Sequence, residues 1–209
     1  MNPSVLICFA VKEEAKFLPR DATARILITG MGQKNAAESL RKELSATRPG
    51  LVLSCGFAGG LNPDLKLSEI VFDSDAESGI AEKLASLGAK PVRFHCNERV
   101  AITAAEKKAL RQTTGADAVE MESSALRKIC REQKIPSATI RVISDTADEN
   151  LPLDFNALMT RDMRIDFTKL SLKLLAGPQK IPHLIRFQKQ TSEAAEKLAE
   201  ILEQLLAAR

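Results

Sequence analysis

The sequence predicts an α/β fold, and three observations carry that reading. Short runs rich in Val and Ile alternate with amphipathic helical stretches. Glycine-containing turns follow two of the apolar runs, and the chain of 209 residues fits one unit spanning residues 1–209. Hydrophobic residues make up 44% and charged residues 27%, ordinary values for a packed globular protein.

The expected strands are Val5–Ala10, Ala24–Thr29, Leu51–Ser54, Ile70–Phe72, Pro91–His95 and Ala138–Ile143. Helices are expected at Lys34–Ala46, Gly79–Leu87, Ala104–Arg111, Glu122–Gln133, Asp166–Leu175 and Ser192–Ala207. In the last of these, Leu198, Ile201, Leu202, Leu205 and Leu206 recur at helical spacing, an apolar stripe suited to packing on a sheet. Gly177-Pro178 and Ile181-Pro182 read as loops ahead of it.

Composition excludes several function classes. Thirty basic residues against 27 acidic give a net charge of +3, without the basic excess of a nucleic-acid binder. Eight Phe with no Trp or Tyr leave no rows of stacking aromatics for single strands. Cys8, Cys55, Cys96 and Cys130 form no CxxC pair, so neither a metal site nor another bound cofactor is expected. The opening MNPSVLICFAVKEE has no basic region before its short apolar stretch. It does not read as a signal peptide, and a cytoplasmic location with reduced thiols is expected.

Ile26 to Thr29 run into Gly30-Met31-Gly32 ahead of a helix, a turn suited to close ligand approach. Asn35 occupies the third glycine position of a dinucleotide fingerprint, which disfavours that class. A second glycine turn, Gly56-Phe57-Ala58-Gly59-Gly60, is expected to expose backbone amides beyond Leu51–Ser54. Glu13-Glu14 follow the first strand, Glu120-Met121-Glu122 open a helix, and Ser144-Asp145 end an apolar strand. Each motif also has an ordinary reading, as a charged loop, a helix-dipole partner or a cap.

In combination and order, these pieces resemble the nucleoside phosphorylase and nucleosidase superfamily, especially the 5′-methylthioadenosine/S-adenosylhomocysteine nucleosidases. The resemblance rests on Ala10-Val11-Lys12-Glu13-Glu14, Gly30-Met31-Gly32, Gly56–Leu61, Val119-Glu120-Met121-Glu122 and Ile143-Ser144-Asp145. Ser54–Pro63, Thr114–Ser123, Leu151–Phe155 and Pro182–Arg186 further resemble the hopanoid-associated phosphorylase group, named for release of adenine from adenosylhopane.

The resemblance implies a single-domain three-layer α/β/α fold with a central mixed sheet, a nucleoside substrate and a homo-oligomer. It implies that Asp145 is the acid serving purine N7, with Ser144 holding that carboxylate, and that Glu14 activates water. Glu122 would accept the ribose hydroxyls and Met121 would pack on the sugar. Phe57, Ala58 and Gly59 would line the nucleophile side, and the purine would lie near Val100 and Ala101. Phe57, Phe94 and Phe155 are the candidates for stacking on the base.

Phosphorylases of this superfamily carry a Gly-Asp-Pro-x-Arg type segment where this chain has Val11-Lys12-Glu13-Glu14. A glutamate beside an incoming phosphate dianion repels it, so water is the favoured nucleophile. Phosphate as co-substrate, held by Lys12 or Arg141, remains the alternative, as does a non-catalytic nucleoside binder. For Arg141 the favoured reading is an ion pair with a nearby carboxylate. Only 50 positions separate Ile70 from Glu120, fewer than in typical nucleosidases, which implies an open pocket for the 5′ substituent. The mixed apolar and basic stretch Lys180–Lys189 would touch a membrane surface if the substrate were lipid-linked.

Overall fold

The computed structural model describes residues 5–19, 24–160 and 162–207. Its main sheet runs β2 (Ala24–Ile28), β1 (Val5–Phe9), β3 (Leu51–Gly60), β8 (Ser137–Asp145), β4 (Ile70–Ser74) and β5 (Lys90–Pro91). β6 (Phe94–Cys96) and β7 (Ala118–Glu120) extend it through β3. Most pairs are parallel, while β4 runs antiparallel to β8 and β7 antiparallel to β3. The sheet is therefore mixed.

Side-chain alternation along β1 divides the core. Val5, Ile7 and Phe9 point to one face, where they join Leu198, Ile201, Leu202 and Leu205 of α7 (Ile181–Ala207). Leu6 and Cys8 point to the other, against Ala36 and Leu40 of α1 (Gln33–Ala46) and Leu126 and Ile129 of α4 (Ser123–Glu132). Both faces of β1, β3 and β8 are covered, which explains their unbroken apolar runs. This is the expected three-layer α/β/α arrangement. The remaining helices are α2 (Ala81–Ser86), α3 (Ala104–Thr114), α5 (Phe155–Leu158) and α6 (Phe167–Ala176). No helix among the described residues is long and apolar enough to cross a membrane.

Four expectations need correction. Gly56–Gly60 is not a turn: β3 continues to Gly60, bulging between Ala58 and Gly59, and bends across to β7. Pro91–His95 divides into β5 and β6. Val119-Glu120 lie in β7, a three-residue strand too short to show a period, and the helix begins at Ser123. The final helix starts at Ile181 rather than Ser192. Pro182 stands in its first turn, where a missing N–H costs no hydrogen bond.

Candidate active site

The functional side chains gather at the carboxyl ends of parallel strands, where open α/β sheets place ligands. Glu14 follows β1, Gly30–Gly32 follow β2, and Ser144-Asp145 close β8. Glu14, Met31, Ser144 and Asp145 border a cavity of about 570 Å³, within the range of small-ligand sites.

Glu14 is buried, and its carboxylate is held by backbone amides from two elements. Ala10 N–H and Val11 N–H donate to Oε2 at 2.9 and 3.1 Å, and Phe57 N–H donates to Oε1 at 2.8 Å. The close approach to β3 requires a glycine. Gly56 has φ +148°, and a Cβ there would fall 2.4 Å from Glu14 Oε1. Burial pushes the Glu14 carboxyl up, with Arg141 and the three amides pulling the other way. A carboxylate of raised basicity is suited to taking a proton from water.

Glu120 and Glu122 differ in role although they stand two residues apart. Glu120 accepts from the Glu122 and Ser123 amides at 3.0 and 2.7 Å and from Ser123 Oγ at 2.8 Å, securing the start of α4. Arg141, 1% exposed, donates to Glu120 Oε2 at 2.8 Å and to Ser54 Oγ at 3.0 Å. Burial alone would raise the Glu120 carboxyl, and Arg141 with these hydrogen bonds brings it below its ordinary value. Glu122 accepts from Gly32 N–H at 2.8 Å, with Arg141 3.8 Å from its second oxygen. Burial and the Glu120 charge push it up to about 7. The ion-pair reading of Arg141 therefore holds.

Asp145 is the third buried carboxyl. Ser144 Oγ donates to Oδ1 at 2.7 Å, and the Lys107 ammonium lies 2.5 Å from Oδ2. Burial raises the carboxyl, while Lys107 and Ser144 draw it part of the way back. Gly59 admits this group, since a Cβ there would stand 3.1 Å from Oδ2.

The ten residues to which the resemblance gives a catalytic or substrate-binding role all border this cavity: Glu14, Phe57, Ala58, Gly59, Val100, Ala101, Met121, Glu122, Ser144 and Asp145. Main-chain groups of two of these residues are already engaged. The Phe57 amide is spent on Glu14 rather than free for a ligand. The main-chain N–H and C=O of Val100 are both bonded to the Asn156 carboxamide, at 2.9 Å each. Phe94 does not reach the cavity and packs instead with Ala58, Leu65 and Val71. Phe187 takes its place, 5.8 Å from Phe155 between ring centroids.

Sequence reasoning missed the apolar wall. Leu151, Leu158, Met159, Ile165, Leu170 and Leu184 join Phe155 and Phe187 along one side. Reading the last helix from Ile181 would have exposed part of that signal. Of the described residues bordering the cavity, Arg99 alone is cationic, and it pairs with Glu106 at 2.6 Å. Lys12 is exposed and does not border the cavity. Among the described residues no cluster of His, Cys, Asp or Glu suits a metal ion.

A layered α/β sheet with buried carboxyls at its strand ends defines the class, and the comparisons give its family. The model of the phosphorylase superfamily matches residues 72–207, and the chain belongs to that superfamily. It is 26% identical over 167 residues to a 5′-methylthioadenosine/S-adenosylhomocysteine nucleosidase of Glaesserella parasuis, covering 64% of this chain and 73% of the relative. In structure it is similar to the 5′-methylthioadenosine/S-adenosylhomocysteine nucleosidase of Neisseria meningitidis in complex with methylthio-immucillin-A. The TM-score is 0.72 at 17% identity, covering 99% and 100% of the two chains. It is also similar to the futalosine hydrolase of Helicobacter pylori, with a TM-score of 0.68 at 16% identity over 98% and 97% of the chains.

Proposed function

We propose that the protein hydrolyses the N-glycosidic bond of a purine nucleoside, releasing adenine from a 5′-substituted adenosine. The observation that carries this reading is the placement of Glu14, Glu122 and Asp145, three buried carboxyls of raised proton affinity, around one cavity. Cleavage needs a proton on the leaving base, stabilisation of an oxocarbenium-like sugar, and a nucleophile on the opposite face. Asp145, oriented by Ser144, donates to purine N7. Glu122 accepts the ribose hydroxyls and Met121 packs on the sugar. Glu14, fixed by its three amides, takes the proton from the attacking water. Water is favoured over phosphate because Arg141 is committed to carboxylates and Arg99 is paired with Glu106.

The apolar wall of Leu151, Phe155, Leu158, Leu170, Leu184 and Phe187 favours a large hydrocarbon 5′ group, a hopanoid-linked one included. For a lipid-linked substrate, the surface we propose to meet a bilayer holds Leu172 and Ile185, exposed by 62% and 61%. Lys169, Lys173, His183 and Arg186 are their neighbours in sequence.

The test incubates the protein with adenosine and a series of 5′-alkylthioadenosines, with and without phosphate, and follows free adenine. Release without phosphate is expected. So is a kcat/KM that climbs with chain length by up to about fourfold per methylene, the equivalent of about 0.8 kcal/mol of apolar burial. A strict phosphate requirement overturns hydrolysis, and a flat dependence on chain length overturns the apolar 5′ group. No release from any member of the series overturns the reading as a whole.

A further inference from the structure

Lys107 is the one buried residue of α3, with a relative exposure of 0%. Its ammonium has three protons and three partners. It donates to Thr146 O at 2.6 Å and Glu149 O at 2.9 Å, and it meets Asp145 Oδ2 at 2.5 Å. Every donor is satisfied by the strand end and loop that carry the proposed acid. A buried cation is expensive unless paired, and here the pairing is spent on the carboxyl that has to release a proton.

We propose that Lys107 is a positioning residue for departure of the base, its ammonium fixing Oδ2 of Asp145 and balancing the negative charge left there when the proton passes to the purine. The inference rests on the nucleosidase reading above. In the step, the Asp145 O–H bond breaks and a bond from that proton to N7 forms. The electron pair stays on the carboxylate beside Lys107, which keeps its own three protons. A proton from solvent restores the acid after the base has left.

The charged and titratable groups around Asp145 come from each neighbouring element. Lys107 reaches it from α3, and Glu149 from the loop after β8, its carboxylate accepting from Thr146 N–H and from Gln190 of α7. Ser144 donates from β8 itself, and β3 presents the uncharged Gly59, where a Cβ would stand 3.1 Å from Asp145 Oδ2. Among the described residues, Lys107 is the cation that pairs with this carboxyl, and the Glu149 charge acts in the opposite direction.

The test compares pH profiles of the wild type, Lys107→Met and Lys107→Gln. The acid works in its protonated form, so kcat/KM falls on the alkaline side as Asp145 ionises. Losing the neighbouring ammonium makes that ionisation harder, and the alkaline limb is expected to move up by about one pH unit or more. The plateau rate on adenosine nucleosides is expected to drop about tenfold, because the weaker acid leaves an unbalanced carboxylate. On a nitrophenyl riboside, whose leaving group departs without a proton, the drop is expected to stay below about threefold. Equal losses on both substrates with an unmoved limb show a purely structural lysine and overturn the proposal.

Lys107→Gln retains donors for the two carbonyls and serves where the methionine variant does not fold. In the wild type, NMR of labelled lysine nitrogens should show the Lys107 signal shifting through the pH at which kcat/KM falls. A signal that is flat there overturns the proposal without any variant. If the wild type itself releases no base, it is the nucleosidase reading that fails.

Discussion

Asp145→Asn is expected to lower kcat by about a hundredfold to ten-thousandfold, the range carried by a positioned general acid. The amide keeps the size of the carboxyl and an oxygen for the Ser144 hydroxyl, and it has no acidic proton to give. Above the pH at which kcat/KM falls, where Asp145 is ionised, the same change also removes the counter-charge of Lys107, which is buried and bonded otherwise only to two carbonyls. Breaking a buried pair from one side costs about 3 kcal/mol or more, and for a chain of this size that lowers Tm by roughly 10 °C. The variant should therefore fold, measurably less stably. Adding Lys107→Met removes the stranded charge, so the double variant should regain most of the lost Tm and none of the activity. Thermal melts beside base-release assays check both parts. A single variant that keeps its rate removes Asp145 from the acid role.

Glu14→Ala is expected to reduce kcat by about a hundredfold or more, since the attacking water loses its base. The consequence for binding is specific. The Ala10, Val11 and Phe57 amides that converge on the carboxylate are left aimed into an empty, anion-sized space. Azide or formate supplied at high concentration should occupy it and restore at least about tenfold of the rate, azide by attacking the sugar directly. Glu14→Gln is expected to be as inactive and beyond rescue, because its side chain still fills that space. Its amide nitrogen also sets one donor against another, at a cost of about 1–3 kcal/mol. Equal rescue of both variants, or of neither, contradicts the assignment of Glu14 as the base that faces the nucleophile.

The layered fold was legible because its central strands are buried on both faces. The runs at Val5–Phe9 and Ser137–Asp145 need few other signals to be recognised. The carboxyls were legible for a related reason: Glu14 and Asp145 stand directly after such runs, and strand ends in this architecture converge. β3 was harder, since glycines that read as a turn let a strand bulge, bend and accept the Glu14 carboxylate. β7 has three residues, below the length at which alternation shows. Lys107 gave no sign at all. In Ala104–Arg111 it sits among Glu106, Lys108 and Arg111, and only its burial separates it from a solvated neighbour. The apolar wall was hidden by its assembly from α5, α6, α7 and the loops between them, whose residues meet only in three dimensions.

The central claim is that Asp145 expels the base while Glu14 delivers water to the sugar. The most direct measurement follows the oxygen: the wild type is incubated with a 5′-alkylthioadenosine in isotopically labelled water containing phosphate, and the sugar product is analysed by mass spectrometry. A free sugar with labelled oxygen at its anomeric carbon is expected, formed at the rate adenine appears. A sugar 1-phosphate carrying no label would contradict it.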